Sequence, residues 1–327
     1  MFRILLKKYV HESLLLWGAC AVILFAFPWV RIWTVSQFEL SSFSSLLEQF
    51  KAFEKFSPVP LEQFLTYQGM VGFTFDEPVL LLCVLVWSIA RGSDVVSGEL
   101  NRGTMELLLA QPVSRSKVFL AHAVVTITGL AILCILVYVG LYMGISTNST
   151  PVSKGGLLSL PWFGFQLENP LLAKKTELVP LRQFVDPSLY ILPTINLFAL
   201  GFAVLGLSVL FSARDQYRWK TIGTVIGIYV LQLLLFILSK STAQTHFLTP
   251  FTFLAAYQPD WIVQRVSNQP ATAWQWIGAG DSFLSGADFM MSRCEPLAFI
   301  TILMSLGMVT YFLAWNKFRV RDLPAPN

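Results

Sequence analysis

Residues 97–117 read SGELNRGTMELLLAQPVSRSK, a polar stretch set between two long apolar runs, VLLLCVLVWSIARGSDVV over residues 79–96 and VFLAHAVVTITGLAILCILVYVGLYMGI over residues 118–145. A helix needs about 20 apolar residues to cross the hydrocarbon core of a bilayer. Two such runs joined by a short charged connector predict two membrane spans with a water-facing element between them. Inside the connector, Gly103 allows a turn, and Thr104 is suited to N-cap a helix by accepting from its free N–H groups. Pro112 stops that helix after Gln111, leaving about two turns over residues 104–111. Met105, Leu108 and Leu109 fall at i, i+3 and i+4 and make one apolar face, with Glu106 on the opposite side. Arg102, Arg115 and Lys117 hold the ends of the connector at an anionic, water-facing surface.

Outward from the connector the same pattern recurs. Apolar runs of spanning length occupy residues 14–33, 79–96, 118–145, 189–212, 219–239 and 296–315. The second is the shortest as an apolar run, bounded by Asp76, Glu77 and Pro78 on one side and by Arg91 and Asp94 on the other. The spans predict an all-α integral membrane protein with six transmembrane helices in one transmembrane domain, residues 14–327. Composition agrees, with 55% hydrophobic residues, 13% charged ones and a mean hydropathy of +0.62. A soluble globular protein carries roughly 25% charged residues, so an ordinary cytosolic domain is excluded.

Basic residues set the expected orientation. Arg3, Lys7, Lys8, Arg91, Arg102, Arg115, Lys117, Arg214, Arg218, Lys220, Lys317, Arg319 and Arg321 all fall beside span ends on the side that holds both termini. The positive-inside rule then predicts an N-in, C-in topology, with the connector in the cytosol and outer loops over residues 34–77, 146–188 and 240–294. Residues 1–13 read as an amphipathic interfacial helix, with Phe2, Leu5, Leu6, Tyr9 and Val10 on one face and Arg3, Lys7 and His11 on the other. The following apolar run continues past Cys20 to Trp33, too long for a signal-peptide core, so a retained first span is expected. In the outer loops, Phe43, Leu46, Leu47, Phe50 and Phe53 form an amphipathic stretch, and Trp162, Phe163, Trp261, Trp274 and Trp276 read mainly as headgroup-level aromatics.

Several chemistries are excluded by what the chain lacks. Cys20, Cys83, Cys134 and Cys294 are too scattered for a disulfide framework, and His11, His122 and His246 have no metal-ligand spacing. No G-x-x-x-x-G-K-[ST] loop cradles phosphate, and no nucleophile elbow or zinc-protease helix is present, so no cofactor is expected on this chain. No basic-aromatic stripe points to nucleic acid. The spans carry no Asp, Glu, Lys or Arg at mid-depth, which weakens a secondary carrier built on ion relays. Their milder polar residues, Asn196, Gln232, Thr126 and Thr128, are expected to bond between helices or to line a substrate path. Gly140 with Gly144 and Gly223 with Gly227 permit close helix contact, either within the subunit or at a dimer seam.

The connector resembles the cytosolic coupling element of ABC-2-type permeases, which reads as an acidic residue, a Gly-Thr pair, a Leu-rich helix and Pro-Val-Ser-Arg. Glu99, Gly103, Thr104, Leu107 to Leu109, and Pro112 to Arg115 occupy those positions here. The layout of the whole chain is similar to that family, as is the Phe318-Arg319-Val320-Arg321-Asp322-Leu323 ending. The resemblance implies an exporter permease in a bacterial-type plasma membrane, multi-pass among its lipids. It implies too that ATP is bound by a separate ABC ATPase subunit docking at residues 97–117, and that a second permease copy completes the path. A membrane scaffold that recruits a cytosolic protein through the same connector is the alternative from another class.

Overall fold

A computed structural model describes residues 2–37, 66–105, 110, 113–154, 157–159, 166–168, 175–241, 243–270, 273–277 and 295–320. Six helical stretches in it are long and apolar enough to cross a membrane; five cover an apolar run read from the sequence, and the second, ending at Gly92, stops short of the run's end at residue 96. The first is α1 (Phe2–Ser36). The second joins a short helix α2 (Tyr67–Gly72), a 3-10 turn Phe73–Phe75, and α3 (Pro78–Gly92), whose Pro at the first position needs no N–H partner. Next come α4 (Arg115–Thr147), α5 (Ile191–Arg214) and α6 (Arg218–Ser241). A shorter α7 (Pro259–Asn268) precedes the last span, α8 (Pro296–Val320).

Burial ranks the spans. Helix α5 is enclosed on most of its circumference, with α8 packed along it and α3, α4 and α6 also against it. Helix α1 lies along α4, and small residues make that closeness possible: a Cβ at Gly140 would strike the Phe25 carbonyl oxygen, and one at Gly144 would strike Ile32. The Gly140 and Gly144 pair therefore serves packing within the chain. Gly223 and Gly227 differ, because nothing lies within 4 Å of a Cβ at either. They sit on α6, whose buried residues are only Thr221, Val225 and Ser239.

The separate interfacial helix expected over residues 1–13 is absent as an independent element. The α-helix runs unbroken from Phe2 to Ser36; on the expected apolar face Leu5 and Tyr9 are buried against Val118, Ala121 and Val125 of α4, with Leu6 and Val113 beside them, while Phe2 and Val10 are exposed.

The end of the bundle away from the connector is tied together by uncharged groups and by ion pairs, Arg265 with Glu295 at 2.7 Å and Arg31 with Glu77 at 3.0 Å. Asn196 Nδ2 donates to the Ala256 carbonyl (3.0 Å), Tyr257 Oη to Phe75 (2.7 Å) and Tyr190 Oη to Gln68 (2.9 Å), while Tyr67 Oη and Thr150 Oγ1 lie 2.7 Å apart. Gln232 Oε1 accepts from the Phe253 N–H at 3.1 Å. Asn196 and Gln232 thus bind the backbone of residues 253–256 to the spans. Thr128 returns its hydroxyl to its own helix, whereas Thr126 bonds both its own helix, at 3.0 Å to the His122 carbonyl, and Tyr311 Oη of α8 at 3.4 Å. Trp261 packs edge-on against Phe299 of α8 at 5.4 Å and so belongs to the interior, whereas Trp274 and Trp276 are exposed.

The all-α expectation needs one amendment at this end. Strand β1 (Ser149–Lys154) pairs antiparallel with β4 (Lys175–Pro180), and β2 (Leu157–Ser159) pairs with β3 (Gln166–Glu168). Pro151 and Pro180 fit there because a two-stranded ribbon has open edges where a missing N–H breaks no ladder. The amphipathic stretch with Phe43, Leu46, Leu47, Phe50 and Phe53, together with Trp162 and Phe163, lies outside the described residues.

Candidate functional site

Helix α3 gives way to the connector through a widened turn. After Ser93, residues Asp94–Gly98 are π-helical, followed by a single α-turn Glu99–Asn101. An extra residue in a helical turn disturbs its regular bonding, and Ser212 at the end of α5 reaches in to complete it. Its Oγ accepts from the Val96 and Ser97 N–H groups at 3.1 and 3.0 Å and donates to the Ser93 carbonyl at 3.0 Å. Thr221 of α6 adds a hydroxyl 3.1 Å from Ser97 Oγ. Gly98 is required because a Cβ there would collide with the Asp94 carboxylate.

Two buried carboxylates organise the charges around this turn. Asp94 takes Arg91 Nη1 on Oδ2 at 3.0 Å and Arg102 Nη1 on Oδ1 at 2.7 Å, with Arg218 Nη1 at 3.6 Å. Glu99, only 1% exposed, takes Lys8 Nζ from α1 at 2.7 Å, lies 3.4 Å from Arg102 Nη2, and also accepts from the Thr104 hydroxyl. Arg218 further donates to the Ala90 carbonyl at 3.0 Å. Burial by itself would raise the Asp94 pKa, but the Arg102 hydrogen bond and the Arg91 charge outweigh it and hold the carboxyl below the usual carboxylate range. Asp94 is therefore ionised at neutral pH. Tyr9 and His122 pack edge-on beside α1 and α4 at 5.0 Å, and neither Tyr9 Oη nor the imidazole nitrogens has a partner among the described residues.

Buried ion pairs of this kind add little net stability, because desolvation offsets the attraction, but removing one member is costly. What they fix is an arrangement. One set of charges joins the π-helical turn (Asp94) and the connector (Glu99, Arg102) to α1 through Lys8, to the end of α3 through Arg91 and to the start of α6 through Arg218. The hydroxyls of Ser212 and Thr221 add α5 and a second tie to α6.

The residues singled out in the connector divide accordingly. Gly103 has φ +68°, the left-handed conformation that only glycine adopts without strain, and its N–H closes the turn on the Leu100 carbonyl at 3.0 Å. Glu99, Arg102 and Thr104 come together in the charge network. Met105, expected on a docking face with Leu108 and Leu109, is instead fully buried in the chain's own core. Its side chain and that of Glu99 are not surface that another protein can reach, so Glu99 acts on the connector through Lys8 and Arg102. Arg115 opens α4. Leu108, Leu109 and Pro112, with Glu106, Leu107 and Gln111, lie outside the described residues, as do the positions 106 and 107 that Thr104 would cap. Sequence reading missed Asp94, Lys8, Arg218, Ser212 and Thr221 as members of one group. The available signal was the Arg91 and Asp94 pair at i, i+3, an acid and a base side by side at a span end.

The profile of ABC-2 family transporter proteins matches residues 11–315, nearly the whole chain. The chain belongs to the ABC-2 family of transporter proteins. It is a multi-pass membrane protein and the permease of an ABC transporter, a family of membrane components that associate with ABC ATPases. No curated protein matches it. In this ABC-2 permease the π-helical turn and its ion pairs sit where the connector between the second and third spans meets the bundle. Among the described residues no group of His, Cys, Asp and Glu could hold a metal ion.

Proposed function

We propose that this permease is the translocation subunit of an exporter in a bacterial-type plasma membrane, N-in and C-in, driven by a separate ATPase that docks on the cytosolic connector 97–117. The observation that carries this reading is the charge network, which joins the connector to α1, α3 and α6 so that it cannot shift alone. Closure of the ATPase pushes the segment after Gly103, the left-handed turn serves as the pivot, and Asp94 and Glu99 pass the displacement to the span ends as a rigid unit. Two copies form the path, and the open α6 face around Gly223 and Gly227 supports a close helix contact between them. No step of ATP chemistry falls to this chain.

The test is reconstitution. The purified permease alone should hydrolyse no ATP, and adding a P-loop ATPase from the same membranes should give turnover that changes when the permease carries Asp94→Asn. ATPase turnover indifferent to the permease would favour a scaffold that only recruits a cytosolic protein. Robust hydrolysis by the pure permease would overturn the reading outright.

A further inference from the structure

Helix α1 is held to α4 unevenly along its length. From Trp17 onward the contact is close: Trp17 Nε1 donates to the Gly129 carbonyl at 3.2 Å, and the Gly140 and Gly144 positions admit no Cβ against Phe25 and Ile32. Before Trp17 the contact is of another kind. Leu5 and Tyr9 are buried against Val118, Ala121 and Val125, while Ile4, Val10, Leu14 and Leu15 in the same turns are exposed, so this segment is covered on one side only.

That one-sided contact also holds buried polar groups with nothing to bond. Tyr9 Oη, His122 Nδ1 and His122 Nε2 have no hydrogen-bond partner among the described residues, and the two rings meet edge-on at 5.0 Å. With Arg91 Nε and Nη2 of the neighbouring charge network they make five of the eight such atoms among the described residues. An imidazole always carries at least one N–H, so His122 leaves a donor unmet in either tautomer. A closed-off polar atom has lost its water without gaining a partner, which weakens the packed arrangement relative to one that admits water.

The tie that pulls on this contact lies in the same turn. Lys8 Nζ reaches Glu99 of the connector at 2.7 Å and sits 5.2 Å from the centre of the Tyr9 ring. The residue on which a connector displacement acts is therefore adjacent to the residue whose hydroxyl lacks a partner. We propose that the first turns of α1 are a lever: displacement of the connector draws them away from α4 through Glu99 and Lys8, with the Trp17 to Gly129 bond as fulcrum, and water then reaches Tyr9 and His122. The charge network moves whole, and this contact is where the permease yields. The lever rests on the coupling reading only for what displaces the connector.

Deuterium exchange at the imidazole C2 position, read by mass spectrometry on the full chain in detergent without an ATPase, reports water at His122, with His246 at the far end of the bundle as internal reference. Lys8→Gln releases the lever from Glu99 and should speed exchange at His122 at least about fivefold while leaving His246 unchanged. Arg31→Gln cuts the tie of α1 to Glu77 beyond the fulcrum and should not speed His122. Tyr9→Phe removes only the unpartnered hydroxyl and should raise the Tm by about 1–3 °C. In the complex with its ATPase, turnover should speed His122 exchange in the parent, and Tyr9→Phe should slow ATP hydrolysis about two- to threefold by favouring the closed contact. ATPase turnover indifferent to the permease sinks the coupling reading, while the lever stands on the Lys8→Gln result. Parent-rate exchange at His122 in Lys8→Gln, a Tm lowered by Tyr9→Phe, or exchange no faster during stimulated turnover would each overturn the lever.

Discussion

The two ends of the bundle are held by different chemistry. At the connector end, Asp94 and Glu99 are buried among Lys8, Arg91, Arg102 and Arg218, and short links join the spans. At the far end, neutral donors to backbone carbonyls, as Asn196 is to Ala256 and Tyr257 is to Phe75, work beside the Arg265–Glu295 and Arg31–Glu77 ion pairs at 2.7 and 3.0 Å. A neutral hydrogen bond contributes about 1 kcal/mol and its loss is local. A buried carboxylate shared by several cations leaves all of them uncompensated when it is removed. At the connector end Asp94 is shared by Arg91, Arg102 and Arg218 from different elements, so its loss reaches all of them at once.

The largest expected contrast is in accessibility. In a background lacking the native cysteines, Leu178→Cys on β4 should react fully with an impermeant thiol reagent added outside cells, and Lys117→Cys beside the connector should not react at all. The opposite pattern would exchange the two ends. Next comes stability. Asp94→Asn should destabilise the permease by about 3–5 kcal/mol, read as a lower Tm in detergent, because Arg91 and Arg102 lose their shared partner. Ser212→Ala strands the Val96 and Ser97 N–H groups and should cost roughly 1–3 kcal/mol. At the far end, Asn196→Ala removes one neutral bond and should cost about 1 kcal/mol, with ATPase stimulation unchanged. Gly103→Ala should have a comparably small thermal effect of about 1 kcal/mol, yet lower stimulation by stiffening the pivot. Equal effects of Asp94→Asn and Asn196→Ala would erase the distinction between the ends.

What was legible in the sequence follows the same division. The six spans were readable because about 20 apolar residues in a row permit few other structures. The position of the connector followed from them, and a turn at Gly103 from the glycine itself. The charge network was not readable, because its members lie far apart in sequence. Lys8, Asp94 and Arg218 each read singly as a span-end residue, and only the crossing of α1, α3 and α6 brings them together. The inward turn of Met105 was equally hidden, since helical periodicity gives a face but not what covers it. The paired strands between β1 and β4 escaped notice because their proline-rich sequence carries no clear alternation, and open ribbon edges accept residues that a larger sheet would refuse.

The connector, and not the far end, is proposed to receive the ATPase. The most direct measurement is capture of a P-loop ATPase by the tagged permease from solubilised native membranes, comparing the parent with Leu108→Asp in the connector and Leu178→Asp on the exposed far-end strand. A charge desolvated in a protein contact costs several kcal/mol, whereas an exposed charge contributes less than about 1 kcal/mol. With equal permease levels in the membrane, Leu108→Asp should lose the ATPase and Leu178→Asp should retain it. Retention by Leu108→Asp at the parent's level would contradict the claim and leave the connector as a link between two spans.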